Sequence, residues 1–220
     1  MDAITIRDLF DLTHSRAGGA LAAYTYPWEA LSHITEIVLA VGKTLDPARY
    51  DHPQEDVWIA KTAKVYPTAS IAGPCVIGED TEVRPGAFLR GSILVGDGAV
   101  VGNSSELKNC ILFDGVQVPH YNYVGDSILG YKAHMGAGAI TSNVKGDKKN
   151  VVVHDEQDYE TGRKKFGAIL GDYVEVGCNS VLNPGTVVGR HSNIYPVSCV
   201  RGVIPESSIL KSTGEVVKKV

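Results

Sequence analysis

Apolar residues return at every sixth position from Val65 through Ile71, Ile77, Val83, Leu89, Val95 and Val101 to Leu107. A second block repeats the rhythm at Leu170, Val176, Leu182, Val188, Ile194 and Val200. Small residues keep step four places later, at Ala69, Cys75, Thr81, Ala87, Ser180, Thr186, Ser192 and Ser198. Glycine follows the apolar residue at Gly78, Gly96, Gly102, Gly171, Gly177 and Gly189. A period of six fits neither a helix nor long amphipathic strands. It predicts short strands separated by tight corners, with one large side chain pointing inward per strand and small residues where the corners crowd. The 63 residues from Leu107 to Leu170 are not a multiple of six, so the coil is expected to be interrupted there.

Ahead of the repeat the spacing is helical. Trp28, Leu31, Ile34, Val38, Val41 and Leu45 follow Pro27, which suits a first helical turn. A shorter helix is expected over residues 5–13, with a bend at Gly18–Gly19. Residues 1–57 read as a helical cap on the coil's open end or as an oligomer contact, 58–210 as the coil and 211–220 as a tail. Between the blocks, "NVKGDKKNVVVHDEQDYETGRKKFGA" is polar and basic, and predicts an extended loop, partly a hairpin, inserted over 144–168. Long ordered loops inside compact domains commonly carry function.

Composition narrows the classes. With 44% hydrophobic and 21% charged residues, 220 residues suit one domain with a small appendage, and a net charge of −4 gives no reason to expect nucleic-acid or membrane partners. No apolar run is long enough to span a bilayer, and the acidic start "MDAITIRDLFDLTHSR" is unlike a signal peptide. Cys75, Cys110, Cys178 and Cys199 lack CxxC spacing and read as reduced core residues, which makes the cytoplasm the expected compartment.

The hexads resemble those of the hexapeptide-repeat proteins, whose fold is mainly β, a left-handed parallel β-helix of triangular section with three hexads per eighteen-residue coil. The resemblance supplies the hand, which runs against the usual crossover rule. Arg84, Arg90 and Lys108 replace the small residue in the glycine column. Arg90 and Lys108 are eighteen apart and should lie one above the other, about 4.8 Å apart. Such a stack costs energy unless an anion lies between the cations, which points to a phosphate or carboxylate site. The alternative is a pair of surface cations with solvated heads.

His120 lies twelve residues beyond Lys108, and Tyr123 three further. The segments "VGNSSELKN", "VPHYNYVGDSILG", "MGAGAITSN" and the following "KK" resemble the acetyltransferase domain of bifunctional N-acetylglucosamine-1-phosphate uridyltransferase/glucosamine-1-phosphate acetyltransferase, over about residues 58–210. The "TGRKKFGA" segment is similar to archaeal-type sugar-1-phosphate nucleotidylyltransferases that carry this domain. The resemblance implies His120 as general base and Arg90, Lys108, Tyr123, Asn143 and Lys149 at an amino-sugar phosphate, with Arg84 as a neighbour. It also implies acetyl-CoA as donor, bound between the subunits of a homotrimer. Asn143 joins His120 in the catalytic set, since an N–H near it or in "MGAGAI" would meet the thioester oxygen. Lys164 and Lys165 are assigned to the phosphates of CoA.

The chemistry suits these residue types. An attacking amine must shed a proton, which an imidazole accepts near neutral pH. Cations that hold the phosphate orient that amine. Asp126 is expected to brace its turn or to orient the imidazole.

The sequence departs from the family in two ways. No glycine-rich nucleotidylyltransferase start is present, so uridyl transfer is expected to be absent. His134 stands where the family has asparagine on the sugar-binding side, which bears on which amino sugar is used. Two rival readings are a sugar-phosphate-binding scaffold that lacks catalysis and a zinc hydrolase on the same coil. The latter needs two histidines five residues apart, and the chain has no such pair, so no metal is expected.

Overall fold

The structure, a computed structural model that describes residues 4–219, turns the period of six into the three faces of a parallel β-helix. Face one stacks Val57–Ala60, Cys75–Ile77, Ile93–Val95, the second halves of Glu106–Leu112 and Tyr123–Leu129, Ala168–Leu170, Thr186–Val188 and Val203–Ile204. Face two runs from Lys64–Val65 through Val100–Asn103, Gln117–His120 and His134–Met135 to Ser208–Leu210. Face three runs from Ser70–Ile71 through the first halves of Glu106–Leu112 and Tyr123–Leu129 to Cys199–Val200. The expected class is borne out: a mainly β, left-handed hexapeptide coil with a small helical segment.

Each hexad residue fills the interior, so that Ile77, Val83, Leu89, Val95, Val101 and Leu107 are fully buried. The small column closes the corners. Its hydroxyls donate to corner carbonyls, Thr81 to Gly96 at 2.7 Å, Ser192 to Pro205 at 2.7 Å and Ser198 to Tyr195 at 2.6 Å, which satisfies backbone groups that burial would leave unpaired. Gly102 shows why the glycine column exists: a Cβ there would stand 1.6 Å from the carbonyl oxygen of Pro119 in the next coil.

The coil is not interrupted at Leu107. Leu112, Val118, Val124, Leu129 and Met135 continue the inward series and are fully buried. The register steps from Ile93 to Cys110 and from Cys110 to Ser127, 17 residues each, where Cys75 to Ile93 is 18. The missing residue is a corner residue. Gly91 (φ 95°) and Ser92 (φ 55°) turn the chain from face three to face one, whereas Asn109 (φ 48°) and Asp126 (φ 49°) each do so alone. Asn and Asp tolerate the left-handed region better than other side chains, so a single one can make the tighter turn. The true interruption follows Asn143. The chain leaves the coil, forms an antiparallel hairpin of Val152–His154 and Asp158–Glu160, and returns at Ala168–Leu170, 41 residues after its partner strand.

The helical segment lies along the coil, not over its open end. It comprises α1 (Ile6–Leu9), a 3-10 turn (Leu12–His14), α2 (Gly18–Leu21), α3 (Pro27–Ala30) and α4 (Ile34–Lys43). The reason is the outward column of face one: Val76, Leu94, Ile111, Ile128, Ile169 and Val187 point away from the interior yet are fully buried. Helix α4 packs across Cys75–Ile77, Ile93–Val95 and Glu106–Leu112. Farther along, Asp172 donates its N–H to the Leu9 carbonyl, and Asp11 donates its own to Asp172 Oδ2 at 2.7 Å. Arg16 bonds Asp97 at 2.9 Å, and His14 stacks on Tyr131 at 3.6 Å. Covering a full side chain in this way contributes about 1.5–3 kcal/mol. At each end of the coil one face is extended by an antiparallel strand, Tyr50–Gln54 on Val57–Ala60 and Val216–Lys218 on Ser208–Leu210.

Candidate functional site

Both cations of interest stand at the corner where face three turns into face one. Register aligns Leu89 with Leu107 and Lys108 with Gly125, so Arg90, Lys108, Gly125 and Ser142 follow one another along this ridge. Arg90 and Lys108 are stacked as the spacing predicts, but the anions between the coils are the protein's own. Arg90 bonds Glu106 at 2.7 Å, and Lys108 lies 3.3 Å from Asp126. The hydrogen bond it donates to Glu106 holds the Arg90 guanidinium above its usual range.

Asp126 organises the ridge. It is buried, 3% exposed, and accepts from Lys108, from Asn109 Nδ2 at 2.9 Å and from Asn143 Nδ2 at 2.6 Å. Asn143 Nδ2 also reaches the Tyr123 hydroxyl oxygen at 3.2 Å. Burial, aided by the negative charge of Asp126 and Glu106, raises the Tyr123 phenol above its ordinary value, so it stays protonated at neutral pH. Asn109 donates to the Leu31 carbonyl at 3.1 Å, and the returning insertion donates from Phe166 to the Asn143 carbonyl and from Gly167 to the Asp126 carbonyl. Asp126 and the two amides it holds thus join the ridge, the helical segment and the insertion.

His120 is elsewhere. It pairs with Asn103 at the end of Gln117–His120, at the corner between faces two and three. Its expected column was that of Lys108. The shortened corner at Asn109 shifts the register by one, so Pro119 takes that place. His120 is exposed, and among the described residues no hydrogen bond or ion pair joins it to Asp126. Its N–H donates to Asn122 Oδ1 at 3.0 Å, and its carbonyl accepts from Gly138 at 3.0 Å. Asn122, which the sequence reading passed over, is buried and anchors this corner by donating to the Gly136 and Ala139 carbonyls at 2.8 and 3.0 Å. Three strand residues, about 10 Å at ~3.3 Å each, separate the two rims of face three, with Tyr123 between them.

Within "MGAGAI", the N–H groups of Gly136, Gly138, Ala139 and Ile140 all donate to backbone carbonyls. Among the described residues no acceptor takes that of Ala137. His134 is not at the ridge. It lies on the outer side of face two, its Nδ1 2.7 Å from Glu175, beside a cavity of about 480 Å³ with Gln117, Lys132 and Tyr173. Lys149, Lys164 and Lys165 are exposed on the insertion, and their side chains make no hydrogen bond to the ridge. Arg84 pairs with Glu82 on face two. A groove of about 470 Å³ continues the ridge under the hairpin, between Ser142, Lys145, His154, Asn183 and Arg201. Arg201 keeps the same column as Arg90 and Lys108, a signal legible only after sorting residues by corner.

The GMPPB C-terminal domain family matches residues 71–194. "Bifunctional protein GlmU" of Methanococcus aeolicus is 33% identical over 174 residues, 71% of this chain and 42% of that protein. The "Bifunctional sugar-1-phosphate nucleotidylyltransferase/acetyltransferase" of Sulfurisphaera tokodaii is 33% identical over 163 residues, 66% of this chain and 41% of that protein. The chain therefore spans less than half the length of these relatives. A solved structure of a putative acetyltransferase from Bacillus cereus superposes with a TM-score of 0.42 at 17% identity, covering 74% of this chain and 78% of that one. The resemblance read from the motifs holds, and with more than half of its 220 residues inside the match, the chain belongs to the GMPPB C-terminal domain family.

Proposed function

We propose that the protein is an acetyl-CoA-dependent N-acetyltransferase acting on an amino-sugar 1-phosphate. The observation that carries this reading is the Lys108–Asp126–Asn143–Tyr123 cluster, which gathers side chains that the family motifs place at the sugar phosphate. The sugar lies across face three, its phosphate toward Arg90 and Lys108 and its amine toward His120. The amine nitrogen attacks the thioester carbon, the C–S bond breaks, the amine proton passes to the imidazole, and the CoA thiolate leaves. The free N–H of Ala137, beside the corner that holds His120, meets the thioester oxygen as it becomes negative.

A homotrimer belongs to the same reading. Face one is sealed by the chain's own helices, whereas Phe88, Tyr121, Tyr195 and Val197 are exposed on face three and its corner with face two. A second copy meets those faces, and only from it do His134 and the lysines of the insertion reach the substrate. The test is release of free CoA thiol from acetyl-CoA and glucosamine-1-phosphate. His120→Ala is expected to lower the rate about 10²–10⁴-fold. Equal inertness of wild type and variant across a panel of amino sugars would remove this reading.

One observation favours a second reading, a non-catalytic sugar-phosphate binder: Arg90 and Lys108 are already neutralised by Glu106 and Asp126. Calorimetric binding of the sugar phosphate without any binding of acetyl-CoA selects it.

A further inference from the structure

With Arg90 and Lys108 each facing a carboxylate, the ridge itself offers little net positive charge to an incoming anion. Arg163, on the returning arm of the insertion, is different. It is half-buried, and among the described residues no carboxylate lies within ion-pair distance of it. Its backbone is fixed on both sides: its N–H donates to Thr161 Oγ1 at 3.2 Å, and its carbonyl accepts from Val151 at 2.7 Å. Thr161 in turn donates to the Val151 carbonyl at 2.6 Å. Among the described residues the guanidinium is engaged only through Nε, which donates to the Lys165 carbonyl at 3.3 Å.

Three and four residues on, Phe166 and Gly167 are stitched to the Asn143 and Asp126 carbonyls, so the same returning segment that carries Arg163 is tied to the ridge. Burial pushes the Arg163 guanidinium below its usual range, and the negative charge of Asp126 works against that push. An arginine stays charged in a protein, and partly burying one without an anion costs free energy that a bound anion returns.

We propose that Arg163 binds a phosphoryl group at the ridge, its free fork of N–H donors adding the positive charge that Arg90 and Lys108 cannot. This rests on the ridge being the phosphate site of the proposed function. Two sources share the chemistry, the phosphate of an amino-sugar 1-phosphate and the phosphates of CoA. Calorimetry on the full chain with glucosamine-1-phosphate, CoA and inorganic pyrophosphate separates them.

Arg163→Gln is expected to weaken one of the first two at least about tenfold while leaving the other within about twofold. Arg163→Lys keeps the charge but not the fork, and is expected to fold as wild type and to bind about threefold or more weakly. If both variants bind all three probes as wild type does, or if wild type binds none of them, the assignment is overturned. If wild type binds pyrophosphate alone and Arg163→Gln loses it, Arg163 stands as an anion ligand and the acetyl-transfer reading is the one that fails.

Discussion

Asp126 accepts the side-chain amide of Asn143 at 2.6 Å, across the point where the insertion leaves the coil. The two residues sit in adjacent coils, and the carboxylate that receives Asn143 also receives Asn109 and Lys108. Asp126→Ala leaves three donors facing a buried void. Removing one partner of a buried ionic network is expected to cost about 3–5 kcal/mol, far above what a surface ion pair is worth. Urea unfolding measures the loss. Adding Lys108→Met should recover part of it, because no cation is then left stranded; a double variant no more stable than Asp126→Ala alone would place the cost elsewhere.

The outward columns of faces one and three predict opposite sensitivities. Ile111 on face one is fully buried, whereas Phe88 on face three is 44% exposed. Ile111→Ala is expected to destabilise the chain by about 2–5 kcal/mol, as for any large core residue. Phe88→Ala should stay within about 0.5 kcal/mol in the isolated chain. Denaturant midpoints at low protein concentration compare the two, and equal losses would mean that face three is covered in solution.

The inward hexads were legible in the sequence because spacing alone carries them, and the Lys108–Tyr123–Asn143 grouping was legible through the motif resemblance. Other features were not. Asn109 and Asp126 each make a corner that elsewhere takes two residues, and a count in sixes cannot see a missing residue until it knows which corner lost it. Twelve residues are two thirds of a coil, so His120 falls on a different corner from Lys108, and the slip only puts Pro119 in the hexad place counted for His120. The column Val76, Leu94, Ile111, Ile128 hides inside runs of buried residues, because each member is flanked by inward-facing neighbours. Only sorting by face shows that face one is apolar outside as well as inside, and hence that the helices must lie along it. Asp126 lies eighteen residues beyond Lys108 and supplies from the chain itself the anion that a stack of cations leads one to expect of a ligand.

Gly102 and Gly19 make a matched pair for the packing argument. A Cβ on Gly102 would meet the Pro119 carbonyl oxygen at 1.6 Å and its carbonyl carbon at 1.8 Å, both backbone atoms that cannot swing aside. Gly19, in α2, has nothing within 4 Å. Gly102→Ala must lift the coil above it, including the corner that ends at His120, and is expected to cost more than about 3 kcal/mol. Gly19→Ala should be neutral or stabilising by about 1 kcal/mol, since alanine suits a helix better. Thermal melts of the two variants settle the contrast, and a Gly102→Ala protein as stable as wild type would contradict the stacking described for the glycine column.

Tyr50 gives the stability a definite alkaline limb. Its ring lies under the N-terminal segment, with the Arg16 guanidinium 5.4 Å from the ring centroid, and its hydroxyl is buried without a hydrogen-bond partner among the described residues. Burial pushes the phenol up from 10.0 to about 12, against the pull of Arg16. The sign follows from proton linkage. Above the unfolded value the unfolded chain releases the proton while the folded chain keeps it, so the folded state binds more protons and stability falls as pH rises. The loss begins near 10.0 and is complete only above the folded value of about 12. Tyr50→Phe removes the titrating group and an unpaired buried hydroxyl together. It is expected to be at least as stable as wild type at neutral pH, by up to about 1 kcal/mol, and to lose less stability between those two pH values. Urea titrations of both proteins at neutral pH and at pH 10.0 and above measure the two slopes. A variant that loses stability as steeply as wild type would mean that the Tyr50 hydroxyl ionises freely in the folded chain, and that the corner beneath Arg16 is wet.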